Sequence, residues 1–467
     1  MAVSPPSQRL SLPIALSFAS TALPIAAIGL VMGVYLPKFF AGHLGLSMAA
    51  VGGAIMIVRL IDLGLDPLLG MAMDRTKSRW GRYRPWLVVG TPLVMAAVYM
   101  LFMADKGVTE GYIIGWLLVL YLGISIVTLA QAAWGAALAT GYNDRSRVYG
   151  VISAVGVVGA VLILFVQVGV KTGFADSVHA MGWFCIALLP ITVIICSVFT
   201  PERVAPKATS QHASFADYWK LIIRPEMLRL IFADFVMALG PGTTAALYLF
   251  FFHDARGYSA AQTSFLLMFY IAAGLAGAIF WSWVAQKLGK HRTLMLTSVC
   301  YAFAQSALMI IPKATMALAI PGMFAVGFVS SAFVLIVRAM VADVADEIRL
   351  ETGEERAGLL YALVTTTQKI GGAITVGVSF YVLGLVGYNP SEGAVNTPEA
   401  IRGLELCYVF APVILVFFGG AAFIGWKLDA ARHGEVRRQL DLRDAMSAEA
   451  GLLQTTSGVD LPDASQP

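Results

Sequence analysis

Runs of about 20 predominantly apolar residues recur along almost the whole chain, and each is long enough to cross a hydrocarbon layer of about 30 Å as a helix. In that solvent every backbone N–H and C=O must be satisfied within the protein, which leaves helices and closed barrels as the spanning structures. No alternating, period-two pattern competes with the long runs, so helices are predicted throughout. Composition agrees. Of 467 residues, 58% are apolar and 13% charged, where soluble domains carry about 25% charged residues. These figures exclude a cytosolic enzyme, a disordered regulator and a nucleic-acid binder. Cys185, Cys196, Cys300 and Cys407 all fall inside apolar runs and form no metal-type or disulfide spacing.

Breaks at charges, glycines and prolines divide the runs into twelve predicted spans, at 13–41, 47–73, 86–104, 112–140, 148–170, 181–199, 227–252, 260–286, 292–311, 315–343, 358–384 and 405–427. The first is too long for a signal-peptide core and has only Arg9 before it, so it reads as an uncleaved span. Lysine and arginine set the orientation. Arg75, Lys77, Arg79, Arg82 and Arg84 lie between spans 2 and 3, Arg145 and Arg147 between 4 and 5, and Lys287, Lys290 and Arg292 between 8 and 9. The alternate loops hold single basic residues such as Lys106, Lys171 and Lys313. The positive-inside rule therefore predicts both termini in the cytoplasm of a protein of the cell (inner) membrane.

A long cytoplasmic linker, 200–226, divides residues 1–199 from 227–427 as two six-helix halves, and 428–467 form a cytoplasmic tail, first helical and charged, then polar. Within the linker, Tyr218–Ile223 reads as an interfacial amphipathic segment. The halves echo each other weakly, GMAMDRTKSRWGRYRPW (Gly70 to Trp86) after span 2 matching QKLGKHR (Gln286 to Arg292) after span 8. Two similar halves suit a transporter in which rocking of one bundle against the other alternately exposes a midplane site. The pathway then lies within one chain, and a monomer is expected.

Ionisable residues inside the spans cost at least about 2.5–3.5 kcal/mol each unless compensated, and therefore mark function. Span 2 holds Arg59, Asp62 and Asp66, on one helical face by their spacings of three and four. Two carboxylates so placed either share a bound cation or keep one proton near neutral pH; alternatively, Arg59 simply neutralises Asp62 while Asp66 caps the cytoplasmic end. Lys369 of span 11, too deep to snorkel, needs an acid across the bundle, and the span 2 pair is the candidate. In span 10, Arg338 reads either as a ligand for an anionic substrate or as the buried partner of an acid. Asp343, Asp346 and Glu347 at its cytoplasmic end read as a gate latch against the basic loop that carries Asp74, Arg75, Arg79 and Arg82.

Gln131 and Trp134 of span 4 share a face, and an amide beside a stacking ring suits a sugar-like ligand, though such a tryptophan also serves ordinary helix packing. Pro241 and Gly242, with Thr243 and Thr244, either open span 7 toward a cavity or form a plain kink. Gly156 and Gly159, and Gly274 and Gly277, read as sites of close helix packing. All six histidines are read as lying in loops or tails.

The stretch RLIDLGLDPLLGMAMDRTKSRWGRYRPW, Arg59 to Trp86, resembles the glycoside–pentoside–hexuronide:cation symporters of the major facilitator superfamily, of which melibiose permease is the best-known member. The shared pattern is Asp-x-x-x-Asp-Pro followed by Asp-Arg-x-x-Ser-Arg-Trp-Gly-x-x-Arg-Pro-Trp. Shorter matches lie at Gly45-Leu46-Ser47, at Met340-Val341-Ala342-Asp343, at Tyr361 with Lys369, and at Gly384-Leu385-Val386-Gly387-Tyr388, so the resemblance covers all twelve spans unevenly.

The resemblance implies an all-α polytopic membrane protein of the major facilitator fold. Its function would be cation-coupled symport of a sugar, glycoside or uronide, with Asp62 and Asp66 as cation-site acids and Lys369 beside them. The chain departs from the family where galactoside carriers place acids, with Ala26 and Ala130 at those positions, and where a sodium-ligand asparagine precedes the second acid, with Leu65 there. Hard cations want several oxygen ligands, so protons are favoured over sodium. No cofactor is expected beyond that coupling ion. Substrate is expected near Trp134, Gln131, Lys369, Thr366, Tyr361 and Arg338.

A lysophospholipid-type amphiphile symporter of the same fold is the alternative, because a cavity without sugar-binding acids and lined by apolar residues suits such a molecule. A non-transporting receptor or a channel is the further one. Span 5 lacks the glycine-rich run ending in proline that antiporters carry. An intramembrane protease needs its two acids on facing helices, whereas Asp62 and Asp66 share one. No His-Glu-x-x-His occurs, and the chain does not read as an enzyme.

Overall fold

The computed structural model describes residues 11–138, 142–170, 173–202, 222–353 and 356–457, with the side chains at 74, 136, 142–146 and 447–457 outside that description. Most of the linker therefore falls outside the described residues, as do Lys171 and the Tyr218–Leu221 part of the expected interfacial segment. The described chain is helical: α1 Leu12–His43, α2 Met48–Arg75, α3 Arg84–Phe102, α4 Glu110–Leu138, α5 Tyr142–Gly169 and α6 Phe174–Phe199. After the linker come α7 Pro225–Ala255, α8 Ala260–Leu288, α9 Lys290–Ala307, α10 Met316–Thr352, α11 Ala357–Leu385, α12 Pro398–Ala421 and a tail helix, α13 Ala430–Ser457.

Eleven of these are long and apolar enough to cross a membrane. The exception among the twelve expected spans is α9. Its first turn, Lys290-His291-Arg292, is strongly polar, and its helix stops at Ala307, short of the expected end at 311. It nevertheless packs between α10 and α12 as a full member of the bundle. Some boundaries move inward, α12 ending at Ala421 rather than 427, and others outward, because hydrogen bonding carries a helix past the point where hydropathy falls. Thus α10 runs nine residues beyond 343, to a left-handed Gly353.

Side chains cap the starts of α2, α8 and α12. Ser47 accepts the Ala50 N–H at 3.1 Å, and Ser259 with Gln262 forms a reciprocal capping box at α8. A single residue, Gly289 at φ 90°, turns α8 into α9, a conformation that favours glycine.

Two bundles result. In one, α3 packs on α4 and α6, α1 on α5 and α6, and α2 on α4; in the other, α8 packs on α10, and α7 and α9 on α12. Close approach depends on small residues, as expected at Gly159 and Gly277: a Cβ there would collide with the carbonyls of Leu23 and Phe328 respectively. At Gly156 and Gly274 the nearest atoms are 3.5 and 3.9 Å from such a Cβ, so those contacts are ordinary. The bundles meet along a seam of three pairs, α2 with α11, α5 with α8, and α1 with α7.

The seam is closed at one end and open at the other. On the α11 face toward α2, Phe380 and Gly377 pack on Gly52, whereas Thr365, Ala362 and Gly358, further along the helix, are exposed. A crevice therefore opens toward the end that carries the basic loops, here called the basic end. At the opposite, far end, Lys38 of α1 is paired with Asp254 of α7 at 2.6 Å, Tyr35 bonds Ser264 at 2.8 Å, and Ser264 bonds Gln167 at 2.5 Å. Near Lys38 the helix is wound with π turns, Val31–Tyr35 and Phe39–His43, around Pro37, whose missing N–H cannot continue an α-helical ladder. Asp254 lies in another π turn, Phe250–Ala255.

Candidate functional site

The three charges of α2 share one face, as their spacing predicts, and that face is turned to the seam. Asp62 is buried; its Oδ1 accepts a bond from Ser125 Oγ of α4 at 2.7 Å, and its Oδ2 lies 3.5 Å from Lys369 Nζ of α11. Asp66 Oδ2 makes a direct ion pair with the same Nζ, while its Oδ1 is buried and has no hydrogen-bond partner among the described residues. One lysine of the second bundle thus bridges two acids of the first. Its side chain is 36% exposed, against 9% for Asp62 and 21% for Asp66, so the crevice reaches the pair from the basic end.

Arg59 does not neutralise Asp62. Its Nε donates to Tyr121 Oη of α4 at 2.7 Å and its guanidinium stands 5.5 Å over the Tyr121 ring. Its Nη1 reaches Gly372 of α11, where any Cβ would collide with it. Of the four oxygens of these two acids, three are served by Ser125 and Lys369 rather than by Arg59. Tyr121 and Ser125 were not singled out in the sequence, although they lie four apart on α4 and so share a face.

Beside Lys369, Gln368 makes a second polar link. Its Nε2 donates to Asp234 Oδ1 of α7 at 3.0 Å, and its Oε1 accepts from Arg338 Nη2 of α10 at 3.3 Å. Asp234 was also missed, though a carboxyl within the apolar run of span 7 carries the same signal as those of span 2. Tyr361 donates to the Arg338 carbonyl at 3.1 Å, and Thr366, one turn from Lys369, is exposed in the crevice.

Several expectations need correction. Trp134 is fully buried in the first bundle, not open to a substrate. Its Nε1 donates to the Pro201 carbonyl at 3.3 Å, Phe18 packs edge-on at 5.6 Å, and the Arg84 guanidinium covers its ring. Gln131 is likewise turned inward, donating to the Phe18 carbonyl at 3.1 Å. Both share a face, but that face points away from the seam.

The expected latch is not formed. Asp343 pairs with Lys290 at 2.6 Å and lies 3.3 Å from His433. Asp346 takes His433 at 3.0 Å and Arg437 at 3.4 Å, and Glu347 lies 3.8 Å from Arg432, so these acids hold α9 and the tail helix. Arg75 and Arg79 are exposed, and Asp74 has a side chain outside the described residues. The backbone N–H groups of Arg82 and Tyr83 instead donate to Glu202.

In α7, Thr244 bonds Tyr301 at 3.1 Å within the second bundle, and the helix continues through Pro241. The histidines are not confined to loops: His43, His179 and His253 lie in α1, α6 and α7.

Residues 17–430 match the model of a family described as MFS/sugar transport protein. The chain is 24% identical over 418 residues to the isoprimeverose transporter of Lactiplantibacillus pentosus, covering 85% of each chain. It is 23% identical to the glucuronide carrier protein homolog of Escherichia coli, over 81% of this chain and 84% of that one. To the putative glycoside/cation symporter YagG of the same organism it is 23% identical, over 89% and 92%. In three dimensions it is similar to the nucleoside transporter NupG, with TM-score 0.65 and 15% identity over 90% of this chain and 100% of that one. It is also similar to a bacterial homolog of the lysosomal transporter Spinster in an inward-facing, unoccupied conformation, with TM-score 0.64 and 13% identity over 92% and 96%. These solved structures share the fold.

Proposed function

The chain belongs to the MFS/sugar transport protein family, membrane transporters rather than enzymes, and on that premise we propose that it is a proton-coupled symporter of a sugar, glycoside or uronide. It works as a monomer by alternating access, both termini in the cytoplasm, the bundles within 1–199 and 227–427 rocking about the seam. The observation that carries this reading is the bridge from Lys369 to Asp62 and Asp66 across that seam.

The bridge makes the state of the acids a condition on how the bundles meet. With both acids ionised, Lys369 is drawn to α2 and the far end stays closed. A proton on either carboxyl removes one of its two attractions and weakens the hold of one bundle on the other. Coupling then follows if proton and substrate favour the same conformers. Protons are preferred to sodium because the ammonium of Lys369 already occupies the place between the two carboxylates where a cation would bind. A sodium ion would have to displace it and find further oxygens.

Substrate enters the crevice beside Lys369, within reach of Thr366 and Arg338. Arg338 gives the site a preference for ligands that carry a carboxylate or a dense set of hydroxyl acceptors. Arg59, held by Tyr121 and pressed on Gly372, positions α2 against α11 rather than binding the ion.

The test is ligand-induced thermal stabilisation of the purified protein over glycosides, uronides and lysolipids, at acidic and neutral pH, with and without sodium. Stabilisation by a sugar that strengthens on acidification and ignores sodium is the expected result. A lysolipid response that requires sodium would overturn both the substrate class and the ion.

A further inference from the structure

Asp234 is a carboxyl that the seam mechanism leaves unused. It lies in α7, about ten residues from the helix start, and is only 3% exposed. Its Oδ1 has one neutral donor, the Gln368 amide at 3.0 Å, and its Oδ2 is buried with no hydrogen-bond partner among the described residues. No lysine, arginine or histidine stands within ion-pair distance of it among the described residues. Asp62 and Asp66, by contrast, have Lys369 beside them. An ionised carboxylate so buried with a single neutral bond costs several kcal/mol, whereas its protonated form requires no counter-charge.

The cation that can supply that charge is one amide away. Arg338 of α10 donates to Gln368 Oε1 while the other end of the same amide donates to Asp234. Gln368 is thus a spacer between a guanidinium at the crevice and a buried acid. The remaining charged groups on the helices around α7 are placed elsewhere. Lys369 of α11 is turned to α2. Arg229 on α7 itself lies at the basic end, on the Ile424 and Gly425 carbonyls. Glu405 of α12 pairs with both Arg402 and Arg256 near the far-end start of α12, and Lys38 of α1 is held by Asp254.

We propose that Asp234 is a proton-binding carboxyl separate from Asp62 and Asp66, linked through Gln368 to the position of Arg338. With Asp234 protonated, Arg338 is free for a ligand in the crevice. When Asp234 loses its proton, the guanidinium is drawn toward it and away from the crevice. By reciprocity, an anion or polyol on Arg338 raises the proton affinity of Asp234. The step is a proton transfer to or from water in the crevice, with Asp234 as acid or conjugate base and no other bond changed. It does not depend on which ion Asp62 and Asp66 take.

Infrared spectroscopy of the purified full-length protein across a pH series, in H2O and D2O, tests this without a substrate. A deuterium-sensitive carbonyl stretch of a protonated carboxyl is expected at the mildly acidic end of the series, lost in Asp234→Asn and kept in Asp62→Asn. In Arg338→Gln the same component is expected to persist to a pH about one unit higher or more, because a cation that favours the ionised form has been removed. That variant carries the test by itself if Asp234→Asn fails to fold. Absence of the component in the wild type, its survival in Asp234→Asn, or an unmoved titration in Arg338→Gln would overturn the proposal. Loss of proton-driven uptake in Asp62→Asn bears on the symport mechanism alone, so the two readings fail separately.

Discussion

Lys38 Nζ of α1 lies 2.6 Å from Asp254 Oδ1 of α7, joining the two bundles at the closed end of the seam. Tyr388 donates to the other carboxylate oxygen at 2.5 Å, and His253 Nδ1 lies 2.6 Å from the first. Each member of the pair sits in or against a π-helical turn, a local distortion that recurs at functional positions. Beside it a cavity of about 620 Å³ is lined by Lys38, His253, Asp254, Tyr388 and the 389–396 loop. The pair ties α1 to α7 at the end of the seam opposite the crevice.

Breaking this pair should favour the conformer that is open at the far end. Removing one partner of a buried ion pair costs about 3–5 kcal/mol in the state that contains it. In Lys38→Met, nitroxide labels at Lys106 and Ser391, both in far-end loops, are expected to move apart in pulsed electron–electron resonance distance measurements. Unchanged distances would show that the other contacts of α1 with α7 close this end without the pair.

Asp62→Asn should abolish uphill accumulation in proteoliposomes while exchange of substrate down its gradient survives. The change removes the charge that Lys369 and Ser125 serve but keeps the shape. Full proton-driven uptake by this variant would remove Asp62 from the coupling site.

Trp134 should behave as a packing residue. Trp134→Ala is expected to lower the unfolding free energy by about 3–5 kcal/mol, seen as a fall in the unfolding temperature of the detergent-purified protein. Trp134→Phe, which retains most of the contact with Phe18, should leave the KM for uptake within about twofold of wild type. A raised KM with an unchanged unfolding temperature would return the residue to the substrate path.

The helix contacts at glycine distinguish two positions one turn apart. Gly277→Ala should destabilise by about 1–3 kcal/mol through overpacking against Phe328. Gly274→Ala, whose new methyl would stand 3.9 Å from the nearest atom outside its own helix, should be close to neutral. Paired unfolding curves check both, and equal effects would refute the packing argument.

The candidate site was legible in part. Asp62, Asp66 and Lys369 announced themselves because an ionisable group in an apolar run is costly wherever its helix sits. Their spacing placed both acids on one face, and the need for a counter-charge pointed to the lysine. The same signal existed at Asp234, and at Lys38 and Asp254, but these lie nearer to span ends or stand alone. A solitary charge does not reveal its partner when that partner is 216 residues away, as Asp254 is from Lys38.

Gln131 and Trp134 show the opposite limit. Helical period put them together correctly, yet the rotation of α4 turned them into the first bundle and presented Tyr121 and Ser125 to α2 instead. The acids of α10 were read as a latch to the loop after span 2 because both carry opposite charge at the same end. The tail helix, built from a stretch that looked like a plain charged extension, supplies nearer cations.

By itself the sequence determined that this protein is a polytopic helical membrane protein, roughly where its spans lie, with ends shifted by up to nine residues, and which acids must be neutralised. Those follow from transfer costs that add residue by residue along the chain and depend on no neighbour. Only the tertiary structure decided that Lys369 rather than Arg59 serves both acids, that Trp134 is buried, and that the crevice opens at the basic end. Those depend on the rotation and tilt of each helix, which are set by close contacts such as Gly159 on Leu23 and Gly277 on Phe328, between residues far apart in the chain.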